Sequence, residues 1–164
     1  MSHDLRRQLN ALQKRYHGGK GQIIKRKNGL QLEWRLWLQP SRLSRKYLVL
    51  VKWGGLGSIP EVEILSPNLR ELSGGKRSPH EFYSNENTKP CLMFNSGSSK
   101  DWVPSMLIAE SLIPWTQEWL LYWELWLSDG KWRGGGVHPG ELTIEQYIAQ
   151  QKNSLHQTSN KGKL

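Results

Sequence analysis

A chain of 164 residues, 37% hydrophobic and 23% charged, is the size of one domain with its own core. Its single Cys excludes an internal disulfide, a four-thiolate zinc site and a CxxC redox pair, and no stretch approaches the roughly 20 unbroken apolar residues of a membrane span. The net charge of +9 is concentrated in residues 1–54, which carry 13 Lys and Arg against Asp4 and Glu33, whereas residues 55–164 are slightly acidic. The opening MSHDLRRQLNALQKRYH lacks the apolar centre of a secretory signal, so a cytoplasmic protein is expected.

Leu5, Leu9, Leu12 and Tyr16 form one apolar stripe, which predicts a helix over residues 3–16 stopped by Gly18 and Gly19. Residues 20–29 read as a basic, turn-rich stretch ending in Asn28–Gly29, a tight-turn pair. Alternation of Leu32, Trp34, Leu36 and Leu38 with polar neighbours predicts a half-buried strand over 30–38. A second strand is expected over 46–53 and a short third over 61–65 after Pro60. Residues 66–90, rich in Pro, Gly, Ser and Asn, read as a loop of about 25 residues, a length that usually marks function. The loop leads directly to Cys91. Helix-like spacing returns over 103–113, with Pro104 in its first turn. Pro114 to Leu127 reads as a helix with Trp115, Trp119, Trp123 and Trp126 on one face, the pattern of a helix packed on a sheet rather than a binding surface. Trp37 and Trp132 are the tryptophans expected to be exposed. Residues 141–151 predict a last short helix, closing one domain over 1–151. The tail over 152–164 is polar and expected to be disordered. Strands run together and helices lie at the two ends, an α+β arrangement.

Cys91 has two readings. A free Cys is often a small buried hydrophobe. A thiol at the end of a long loop, after a proline, also suits a nucleophile with a shaped site around it. His80, in the same loop, and His138, in a Gly-rich stretch, are the candidate bases.

Pro60-Glu-Val-Glu-Ile64, Pro79-His80-Glu-Phe-Tyr83, Pro90-Cys91-Leu92, Asp101-Trp102-Val-Pro104-Ser105 and Leu112-Ile-Pro114-Trp115 occur in an order and at spacings that resemble the ubiquitin-conjugating enzyme fold, over residues 3 to about 128. That family has an N-terminal helix, a four-strand antiparallel meander and C-terminal helices. The segment Pro114-Trp-Thr-Gln-Glu-Trp-Leu-Leu-Tyr-Trp-Glu124, followed by Trp132-Arg-Gly-Gly-Gly-Val-His138-Pro139, resembles the bacterial branch found in CBASS anti-phage operons beside a cGAS-like nucleotidyltransferase.

The resemblance implies a transferase in which Cys91 carries the C-terminus of a partner, the nucleotidyltransferase, as a thioester and passes it to a target. His80 matches the histidine of the family's His-Pro-Asn turn, which holds the loop in shape. Glu81 and Phe82 stand where that turn has Pro and Asn, so the amide that steadies the oxyanion is missing. Asn85, Asn87 or backbone N–H groups near Cys91 are the candidate replacements. Arg6, Arg7, Lys14 and Arg15 of the first helix would dock an acidic partner surface. The chain has no Gly-rich phosphate loop to activate a carboxylate with ATP. A separate activating enzyme, or a donor already activated, is therefore implied, with no cofactor and no metal. Two rival readings are a non-catalytic scaffold of the same fold and a nucleic-acid-binding module. The second is disfavoured because the basic residues and most of the tryptophans lie in different segments.

Overall fold

The computed structural model describes residues 2–93, 95–96, 99–135, 139–140 and 142–160. Helix α1 (Ser2–Arg15) buries Leu5, Leu9 and Leu12, the predicted stripe, and leaves Arg6, Lys14 and Arg15 in solvent. The next residues form strand β1 (Lys20–Arg26), where the sequence reads as a basic turn. The strand lies at the sheet edge with Lys20, Gln22, Lys25 and Arg26 exposed, so its polarity resembles that of a loop. Gly19 starts it because a Cβ there would collide with the Trp34 indole. Gly29 closes the hairpin with φ of 118°, a left-handed value that glycine tolerates.

Strands β2 (Gly29–Leu38), β3 (Tyr47–Trp53) and β4 (Glu61–Ser66) follow as the alternation predicts. The four strands make one antiparallel sheet in the order β1-β2-β3-β4. Leu32, Trp34, Leu36, Val49, Val51, Trp53, Val62 and Ile64 join the leucines of α1 in the main core.

The predicted 25-residue loop is partly ordered. Asn68 caps the short helix α2 (Leu69–Leu72), its Oδ1 accepting from the N–H groups of Arg70 and Glu71 at 3.0 and 3.2 Å. Strands β5 (Glu81–Phe82) and β6 (Lys89–Pro90) pair as a hairpin ending at Cys91. A second small hairpin pairs β7 (Asn95–Ser96) with β8 (Ser99–Lys100).

The helix expected over 103–113 does not form. Ile108–Glu110 make a 3-10 turn, and only Leu112 and Ile113 are α-helical, as the first residues of the next helix. Side chains of α1 take the backbone groups that a helix would use: Gln8 donates to the Met106 carbonyl at 2.7 Å and accepts from the Ile108 N–H at 2.8 Å. Arg7 donates to the carbonyls of Pro104 and Ser105 at 2.7 and 3.3 Å. Helix α3 (Leu112–Asp129) ends at Gly130, whose φ of 74° makes the left-handed cap. Trp119 and Trp123 are buried, while Trp115 and Trp126 flank the core partly covered. Glu124 ties the helix to the 41–47 region by accepting from the Tyr47 hydroxyl at 2.6 Å and the Ser44 hydroxyl at 2.7 Å.

Helix α4 (Ile144–Asn160) continues past residue 151, into the tail expected to be disordered. Thr143 and Gln146 form a reciprocal capping pair at 3.2 and 3.0 Å that starts the helix, and no Pro or Gly follows before Gly162. The protein is α+β: an N-terminal helix, a four-strand antiparallel sheet and C-terminal helices. Among the described residues no helix is long and apolar enough to cross a membrane.

Candidate active site

Cys91 follows β6, and its N–H donates to the His80 carbonyl at 2.9 Å, extending the β5–β6 pairing by one step. The same carbonyl accepts from the Trp119 indole N–H at 2.7 Å. One oxygen thus joins the strand before the thiol to helix α3. The buried His80 imidazole stacks on Trp132 with ring centroids 5.1 Å apart, and Trp132 also contacts Trp119 and Tyr122 at 5.7 and 6.1 Å. Trp132, expected to be exposed, is therefore partly covered and wedged beside the site. Gly134 permits this, since a Cβ there would fall 2.7 Å from the Trp132 Nε1.

Two openings are lined by the Cys91 segment. A cleft of about 410 Å³ is lined by His80, Cys91, Asp101, Glu118, Trp119 and Trp132. An apolar groove of about 620 Å³ passes Pro90, Leu92, Trp102, Ile144 and Tyr147. Cys91 itself is partly covered, packing against a small cluster of Phe82, Ile144 and Tyr147 that stands apart from the main core. Burial pushes its thiol up to about 12; the Met93 carbonyl, to which Sγ donates at 3.9 Å, pulls the other way, and the charge of Asp101 adds to the rise. At rest the sulfur is a thiol.

The departures from the His-Pro-Asn turn have structural tasks. The buried Glu81 carboxylate meets Arg70 at 2.8 Å and Arg77 at 3.5 Å and accepts from the Ser78 hydroxyl at 3.0 Å, pinning the α2 segment to β5. Burial raises its pKa against the pull of Ser78 and the two arginines. Phe82 meets Tyr147 edge-on with centroids 5.4 Å apart, and the Tyr83 N–H donates to the Leu142 carbonyl at 2.7 Å, so β5 anchors the start of α4.

The predicted site residues separate into those brought together and those kept apart. Cys91 and His80 meet. Asn85 and Asn87 do not line the cleft that Cys91 and His80 share. They lie toward the closed tip of the hairpin, whose open end carries Cys91. Cys91 lies four positions after Asn87 along the strand direction, roughly 13 Å of extended chain, and Asn85 accepts a hydrogen bond from the Tyr83 hydroxyl at 2.7 Å. The Cys91 N–H is already used by His80. His138 lies outside the described residues. Of the predicted docking residues, Arg6, Lys14 and Arg15 are exposed, whereas Arg7 is spent on the Pro104 and Ser105 carbonyls. Among the described residues no group of His, Cys, Asp or Glu is placed to hold a metal ion.

Three residues at the site were not singled out from sequence for these positions. Asp101 and Trp132 line the cleft, and Tyr147 packs over the thiol. Asp101 and Trp132 stand in the segments that carry the family resemblance, and Tyr147 lies in the predicted helix over 141–151, on the face shared with Ile144 and Ile148.

Residues 8–139 match the family model E2-CBASS, described as Type II CBASS E2 protein. No curated protein matches the chain.

Proposed function

The chain belongs to the Type II CBASS E2 family, which gives it a conjugation-related role in anti-phage defence, and on that premise we propose that Cys91 is the acyl-carrying nucleophile. The observation that carries this reading is the position of Cys91, which lines a polar cleft with His80 while its chain neighbours Pro90 and Leu92 line an apolar groove, and whose strand is fixed through the His80 carbonyl to α3. The partner is a cGAS-like nucleotidyltransferase of the same operon. Its extended C-terminus lies along the apolar groove and places its terminal carbonyl at Sγ. The acidic side chains of Asp101 and Glu118 at the cleft suit an approaching lysine amine. Thioester formation splits one acyl transfer into two easier steps. The raised thiol pKa means that docking must lift the cover or bring a base before attack. Arg6, Lys14 and Arg15 present a basic face to the partner or to a separate activating enzyme. His80 keeps the Cys91 strand in position through its backbone carbonyl and its stack on Trp132.

Intact-mass measurement after co-expression with the neighbouring nucleotidyltransferase tests the proposal. The expected result is an adduct on Cys91 that is released by hydroxylamine and absent from Cys91→Ala. An unmodified Cys91 under those conditions overturns it.

A scaffold role without chemistry is the second reading, favoured by one observation: Glu81 and Phe82 of the altered turn are engaged in structural contacts and leave no amide at the thiol. It predicts that Cys91→Ala leaves partner function intact.

A further inference from the structure

Tyr147 is 5% exposed, and its hydroxyl is closed off from solvent with no hydrogen-bond partner among the described residues. A buried phenol normally finds a partner, because leaving one unmade costs about 1–3 kcal/mol. The ring belongs to the cluster against which Cys91 packs, and it lines the groove that also passes Pro90 and Leu92, the residues on either side of the thiol. Asn85 and Asn87 lie toward the far end of the hairpin, and the Cys91 N–H is already committed. We propose that the Tyr147 hydroxyl is a catalytic residue that donates a hydrogen bond to the oxyanion formed when Cys91 attacks, or is relieved of, its acyl group.

The inference rests on the acyl-carrier reading above. In loading, the Cys91 thiol gives up its proton to solvent as its sulfur forms a C–S bond to the donor carbonyl and the π pair moves onto oxygen; collapse of that oxyanion breaks the bond to the donor's thiolate leaving group, which departs with its electron pair and takes up a proton from solvent. In discharge, an amine forms the C–N bond, the π pair again moves to oxygen, and collapse breaks the C–S bond, returning Cys91 as thiolate while the ammonium proton passes to solvent. Both steps place negative charge on the same oxygen. A hydrogen-bond donor placed beside that oxygen stabilises the developing charge. The phenol keeps its proton throughout. Burial first, then the charges of Cys91 and Asp101, push its pKa up to about 12, so it remains a donor at neutral pH.

The test uses the full chain, with a synthetic peptide ending in a glycine thioester as acyl donor and free lysine as acceptor. Loading and discharge of Cys91 are followed by intact mass, and alkylation by iodoacetamide reports a reaction of the same thiol that forms no oxyanion. Tyr147→Phe keeps the ring and its packing on Phe82. It is expected to slow loading and discharge by about 100-fold while alkylation stays within about twofold of wild type. A loss of less than about tenfold in acyl transfer overturns the assignment, as does an alkylation rate that falls in parallel, which would make Tyr147 only a determinant of thiol access. A wild-type protein that takes no acyl group at Cys91 removes the parent reading, and this one with it. A wild type that loads normally beside an equally active Tyr147→Phe removes this inference alone.

Discussion

Along the sheet, Leu32, Trp34, Tyr47, Val49, Val51 and Trp53 are almost completely buried and meet Leu5, Leu12 and Trp123 in one continuous core. Around Cys91 the buried apolar residues are Phe82, Ile144 and Tyr147, a separate patch roofed by α4. In the first region backbone groups between distant segments are tied by side chains such as Gln8 and Glu124. The difference teaches that the protein pairs a rigid frame with a thin cover, and that the thiol's position belongs to the frame while its accessibility belongs to the cover. Small, sparsely packed patches open at lower free energy than the continuous core.

The largest expected effect probes the frame. Trp123→Ala removes a fully buried indole and should lower the unfolding free energy by about 4 kcal/mol in a urea titration; a loss below about 1 kcal/mol would place the core elsewhere. A smaller effect separates the cover. Ile144→Ala is expected to speed Cys91 alkylation about tenfold while the global unfolding free energy falls by less than about 1 kcal/mol. Equal losses in both measurements would merge the two regions into one cooperative unit.

The smallest effect comes from pH. Cys91 and Tyr147 both have folded-state pKa values raised to about 12, from ordinary values of 9.0 and 10.0. The folded protein therefore holds these protons more tightly than the unfolded chain. The stabilisation is complete below about pH 9 and is lost as pH climbs toward about 12. The alkylation rate of Cys91 should keep rising through pH 10 instead of levelling near pH 9. A plateau near pH 9 would show a thiol already open to water.

The frame was legible in the sequence because its strands alternate and α1 carries one leucine stripe, both local signals. Strand β1 was not, since an edge strand with lysines facing solvent has the composition of a turn. The segment 103–113 has helical spacing, yet Gln8 and Arg7, about a hundred positions away, claim its backbone groups. Cys91 and His80 could be picked out by motif order. Asn85 and Asn87 looked suitable by proximity in sequence, but a hairpin puts residues close in number at opposite ends. Tyr147 and Trp132 reach the site only through tertiary packing, and no local pattern announces that. Glu81 and Phe82 could be read only as departures; the arginine clamp and the α4 anchor that explain them are contacts between segments.

The His80 carbonyl accepts from both the Cys91 N–H and the Trp119 indole. Helix α3 and the strand that carries the sulfur are therefore held by a single acceptor, so the position of Trp119 and that of Cys91 are mechanically coupled.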